Sequence, residues 1–92
     1  MSNETKRRSK LDIMIKVLST IYDGENKPTK IMYAANMSWN LTQKVFEDLL
    51  QQGLLSIIEM PGTKRSIKRY ELTEKGQKVL EYFEGAKALL NI

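Results

Sequence analysis

Two short stretches hold most of the positive charge of this chain. Lys6, Arg7, Arg8 and Lys10 form one, and Lys64, Arg65, Lys68 and Arg69 the other, together eight of the fifteen Lys and Arg. Between them Asn40, Gln43, Lys44, Glu47 and Gln51 recur at spacings of three and four, so on a helix they share one amide-rich face. Clustered cations suit a polyanion. Asn and Gln each donate and accept at once, as the adenine edge in a DNA major groove requires, and Lys44 can reach a guanine or a phosphate. The same residues also make an ordinary solvated surface, so their meaning depends on the elements that carry them. The chain has neither Cys nor His, which removes disulfides, thiolate zinc sites and imidazole catalysis together. With no phosphate-binding glycine loop and no acid pair either, an enzyme is not expected, nor any cofactor or metal.

At 92 residues the chain is read as one domain, small enough to gain from a second subunit. Hydrophobic residues at 41% and charged residues at 28% fit a globular protein, and the net charge of +4 matters because it is clustered. No apolar run approaches the roughly 20 residues of a membrane span, and the start, Met1 to Thr5, is polar rather than signal-like. A cytoplasmic protein with no membrane partner is expected.

Residues 1–8 are polar and aperiodic, and read as a flexible basic arm. Leu11, Met14, Ile15, Leu18, Ile21 and Tyr22 predict a first helix, capped by Ser9 with Asp12 and ended by Gly24. Turn residues 23–28 follow, where a one- or two-residue strand is expected. Thr29 is read as the cap of a short helix over residues 30–36, with Ile31, Ala34 and Ala35 inward. Asn36-Met37-Ser38 is a turn, Asn36 suiting a left-handed helix end and Ser38 capping a third helix from Trp39 to Gln52. That helix turns Leu41, Val45 and Leu49 inward, with Phe46 and Leu50 at the edges, and Gly53 stops it. Residues 54–59 and 67–72 predict two strands joined at Pro61-Gly62, with Tyr70 and Leu72 facing inward and Arg69 and Glu71 on the opposite face. Thr73 caps a last helix, in which Gly76 and Gly85 are weak points and Val79, Tyr82, Phe83, Ala86, Leu89 and Leu90 form an apolar stripe.

This order of elements predicts an α+β, mainly α fold: a winged helix-turn-helix of three helices and a β-hairpin wing over residues 9–72, with a C-terminal dimerisation helix over 73–92. The stripe on that helix implies a homodimer contact, the alternative being that it folds back on the first helix. Trp39 either closes the turn or lies against a sugar-phosphate backbone. Lys10-Leu11-Asp12-Ile13, the run from Thr29 to Trp39, Leu49-Leu50-x-x-Gly53-Leu54-Leu55 and Tyr70-x-Leu72-Thr73-x-Lys75-Gly76 resemble the archaeal winged-helix family of small DNA-binding proteins and regulators that includes the Sso10a-type chromatin proteins. The resemblance implies an archaeal or archaeal-virus source and dimerisation through the C-terminal helix.

The expectation is a homodimeric double-stranded-DNA-binding protein, a transcriptional regulator, in which Asn40, Gln43 and Lys44 read bases. Ser38, Trp39, Lys30, Lys64, Arg65, Lys68, Arg69, Arg7 and Arg8 would hold the backbone. A non-specific chromatin protein and a winged-helix protein-interaction module are the alternatives.

Overall fold

The computed structural model describes residues 9–62 and 67–90. Its elements are α1 (Lys10–Tyr22), α2 (Pro28–Ala34), α3 (Trp39–Gln51), β1 (Leu55–Met60), β2 (Ile67–Leu72) and α4 (Glu74–Leu90). The basic arm with Arg7 and Arg8, and the hairpin tip with Lys64 and Arg65, lie outside the described residues.

Each helix boundary has a local cause. α1 opens on a capping box, in which the Asp12 amide donates to Ser9 Oγ at 3.0 Å and the Ser9 amide to the Asp12 carboxylate at 3.4 Å. Ser38 Oγ accepts from the Leu41 amide at 3.1 Å to start α3, and Thr73 Oγ1 from the Gly76 amide at 3.0 Å to start α4. α1, α2 and α3 all stop in one manner, at residues with positive φ: Gly24 (113°), Asn36 (56°) and Gly53 (75°). There the amides of Gly24, Asn36 and Gly53 donate to the carbonyls of Ile21, Tyr33 and Leu50. The next amides, of Glu25, Met37 and Leu54, reach Thr20, Met32 and Leu49, all between 2.9 and 3.2 Å. These paired bonds satisfy carbonyls that a helix end leaves unbonded.

α2 differs from its expected form. It begins at Pro28, after an extended Lys27 that makes no side-chain cap, and not at a Thr29 cap. Proline at the first helical position has its φ preset and lacks an amide that would otherwise need a partner. Ile31 and Ala35 are buried as expected, whereas Ala34 is exposed. Positions 31 and 35 lie one above the other, and 34 is turned about 100° away from 35.

The core is built around Leu18, Ile31 and Leu49, fully buried and one from each of the first three helices, with Val17 and Thr42 beside them. α1 meets α2, α3, β2 and α4. Its buried face therefore widens to Val17, while Leu11 and Tyr22 at its ends, expected on the main face, are exposed. Phe46, expected at the edge of α3, is instead in the core and stacks on Tyr70 of β2, ring centroids 4.1 Å apart at 25°. Such a pair adds about 1 kcal/mol beyond the area it buries. Thr42 is buried because its hydroxyl is satisfied, donating to the Ser38 carbonyl at 2.7 Å.

β1 and β2 pair antiparallel, from Leu55 opposite Leu72 to Met60 opposite Ile67. Among the described residues there is no third strand, and a backbone hydrogen bond joins the turn after α1 to the sheet, from the Tyr70 amide to the Asn26 carbonyl at 3.1 Å. At the base of the hairpin the end of α3 is tied to the start of α4. The Thr73 amide donates to the Leu54 carbonyl at 3.1 Å, Thr73 Oγ1 to the Gly53 carbonyl at 2.6 Å and Lys75 Nζ to the Gln52 carbonyl at 2.7 Å. Gly76 is no weak point here: a Cβ on it would overlap the Leu54 carbonyl oxygen.

Gly76→Ala will therefore destabilise the protein by about 2 kcal/mol or more in urea unfolding, although the same change at an unobstructed helical site gains up to about 1 kcal/mol. Burial raises the Tyr70 phenol above its ordinary value of 10.0. The unfolded chain ionises first, so this contribution is full below pH 10.0 and is lost as pH rises towards the folded value. Tyr70→Phe will remove that part of the alkaline fall in Tm.

Candidate nucleic-acid interface

α2, the Asn36 turn and α3 form a helix-turn-helix whose second helix is amphipathic. Thr42, Val45, Phe46 and Leu49 hold its inner face, and Asn40, Gln43, Lys44, Glu47 and Gln51 are all exposed on the other. The Ser38 hydroxyl, exposed at the start of α3, accepts from the Leu41 amide and still carries a hydrogen that it can donate.

Trp39, 42% exposed, stands in the first turn. With Pro28 of α2, Gln43, Phe46, Glu47 and Leu50 of α3, and Lys68 and Tyr70 of β2, it lines a groove of about 360 Å³. The wing thus brings Lys68 to the flank of the amide face. Strand alternation explains why: Lys68 and Tyr70 share a face, and Tyr70 is held by Phe46. Arg69 lies on the opposite face, its guanidinium donating to the Lys68 carbonyl at 3.0 Å. Two cations adjacent in sequence are therefore directed to different sides of the hairpin. Lys30 is exposed on α2.

Glu47 puts a carboxylate on this otherwise amide and cationic surface. It repels phosphate and can accept from a cytosine amine, so a groove edge fits it better than a backbone. Lys10 and Asp48 make an exposed ion pair, N to O 3.1 Å, joining the start of α1 to α3. It contributes at most about 1 kcal/mol. The sequence reading missed this pair and the Pro28 wall of the groove; both depend on tertiary placement.

The apolar residues of α4 divide between two faces. Val79 and Phe83 pack on the core, and Phe83, Ala86 and Leu90 line a groove with Leu11 and Ile15 of α1. Tyr82 and Leu89 are exposed.

A family model described as winged helix-turn-helix matches residues 7–91. An uncharacterized protein of Methanocaldococcus jannaschii, MJ0287, is 32% identical over 84% of this chain and 71% of its own length. A PadR family transcription regulator from Clostridium difficile R20291 superposes with a TM-score of 0.77 at 14% identity, over 86% of this chain and 90% of that one. A Staphylococcus aureus MepR variant, bound to an oligodeoxyribonucleotide, superposes at 0.74 with 20% identity over 87% of this chain, which spans 59% of that protein.

Ser38→Ala, which removes the cap of α3, will cost about 1 kcal/mol in thermal unfolding, and Ser38→Asp will recover most of it.

Proposed function

The chain belongs to the winged helix-turn-helix family, and from that premise we propose that it is a homodimeric regulator of transcription that binds double-stranded DNA. The observation that carries this reading is the solvent-facing amide surface of α3, presented by a helix-turn-helix and flanked by Lys68 of the wing. α3 enters the major groove with Asn40, Gln43 and Lys44 at base edges. Ser38 and the Trp39 indole N–H donate to phosphate at the groove rim, and Lys30 and Lys68 neutralise phosphates on either side. Arg69, on the far face of the hairpin, serves the backbone only where DNA curves around the wing. Lys64 and Arg65 of the wing tip, and Arg7 and Arg8 of the arm, are assigned further phosphates from their charge.

In a two-fold dimer through α4 the copies of α3 lie roughly 34 Å apart, one DNA turn, and a specific site is palindromic. The MepR variant bound to an oligodeoxyribonucleotide supports a DNA partner. No helix among the described residues is long and apolar enough to cross a membrane. The chain acts by binding in the cytoplasm, with no catalysis and no cofactor.

Fluorescence anisotropy of a labelled duplex across a salt series tests this. Affinity falls steeply with salt, and Lys30→Ala, Lys68→Ala and the pair Lys64→Ala/Arg65→Ala each flatten the log–log slope, by about 0.9 for every phosphate left without its cation. Asn40→Ala and Gln43→Ala keep the slope and lose about 1–3 kcal/mol of preference for a selected site. Binding without any site preference would make the protein a general chromatin component. No binding at low salt would overturn the DNA reading in favour of a protein partner.

A further inference from the structure

α3 carries two acids side by side in sequence, and they meet different surroundings. Asp48 turns towards α1, where Lys10 neutralises it at 3.1 Å. Glu47 is exposed, and among the described residues no cation pairs with it, although Lys68 lines the same groove.

The helix decides where the unpaired charge stands. At about 100° per residue, Glu47 lies within about 20° of Asn40 and between Gln43 and Lys44, whereas Asp48 is turned about 100° further round. The carboxylate is therefore at the middle of the amide face. A helix that presents Asn40, Gln43 and Lys44 to DNA brings Glu47 into the groove with them.

What a carboxylate accepts there is narrow. Ionised, it takes hydrogen bonds and donates none. In the major groove guanine shows two acceptors, thymine an acceptor and a methyl group, and adenine a donor beside the N7 acceptor. Cytosine shows its N4 amine alone. Phosphate repels the charge outright.

We propose that Glu47 sets the base preference of α3, accepting from the N4 amine of a cytosine in the target site and repelling duplexes that offer no such donor. The inference rests on the DNA-binding reading above and adds the class of site, one with a C·G pair beneath the centre of α3. An unpaired carboxylate lowers affinity for every duplex, and a matched cytosine restores it at one kind of site only. Such a surface favours a high ratio of specific to non-specific binding over tight binding to any sequence. That ratio is what a regulator needs and a general chromatin component does not.

The test is selection of preferred duplexes from a randomised pool, followed by competition anisotropy. It compares the wild type with Glu47→Gln, Glu47→Ala and Asp48→Asn, each checked for its thermal midpoint. The wild type is expected to select a fixed C·G pair whose replacement weakens binding about tenfold. Glu47→Gln moves the preference at that pair to A·T, because an amide both donates and accepts, and Glu47→Ala loses preference there. Both tighten binding to an unrelated duplex by roughly threefold, the scale of one exposed charge contact. Asp48→Asn removes an equal charge one residue away and keeps the C·G preference, which separates base reading from net charge. Selected sites without a fixed C·G pair overturn the proposal, as does a Glu47→Gln variant that keeps the wild-type preference at every position. In both outcomes the protein still binds DNA, and the proposed function stands without this inference. A wild type that binds no duplex at low salt removes both.

Discussion

The backbone carbonyls of Gln52, Gly53 and Leu54 are where the molecule is joined. A helix end exposes carbonyls that must find donors, and here the donors come from the far side of the hairpin: Lys75 Nζ, Thr73 Oγ1 and the Thr73 amide. The Leu54 carbonyl also lies against Gly76, at a distance no side chain would permit. The Leu72-Thr73-x-Lys75-Gly76 run is therefore a connector in which nearly every position has a separate task. It closes the base of the wing and fixes the direction in which α4 leaves, and both follow from the position of α3.

The candidate reading surface rests on the same frame. α3 is held from within by Val45, Phe46 and Leu49, from its start by Ser38 and from its end by the joint. The Phe46–Tyr70 stack extends that frame to the second strand of the wing, so Lys68 takes its place beside the amide face through packing rather than through a polar contact of its own. Thr42 contributes from inside, its hydroxyl returned to the Ser38 carbonyl so that a polar residue can occupy the core without an unsatisfied group. Rigid placement of this kind is what the proposed reading of base edges by Asn40 and Gln43 would require.

Much of this was legible in the sequence because the signals are local. Ser9 with Asp12, Gly24, Asn36, Ser38, Gly53 and Thr73 act within a few residues of themselves, and each ends or begins a helix as read. The polar face of α3 was equally readable, since one helix with a strong two-sided pattern fixes its own orientation. What was not readable depends on other elements. Ala34 and Ala35 differ only in which of them meets a neighbour, and seven residues of α2 give too short a pattern to set the phase. Phe46 moves from edge to core because Tyr70 arrives from the wing, and Gly76 has its meaning only beside Leu54. The divergence of Lys68 and Arg69 follows from strand alternation, yet a reading by charge density groups them.

The tight contact at Gly76 leaves α4 no slack where it departs. A helix advances about 1.5 Å and turns about 100° with each residue, so a position along α4 is also an angle measured from the joint. One residue inserted between Gly76 and Tyr82 would swing everything beyond it by more than a quarter turn, whereas seven would restore the facing to within about 20° and add about 10.5 Å of length. In any two-fold assembly through α4, the separation of the two α3 helices therefore changes in steps of heptads, and the length of this one helix acts as a ruler with a discrete scale.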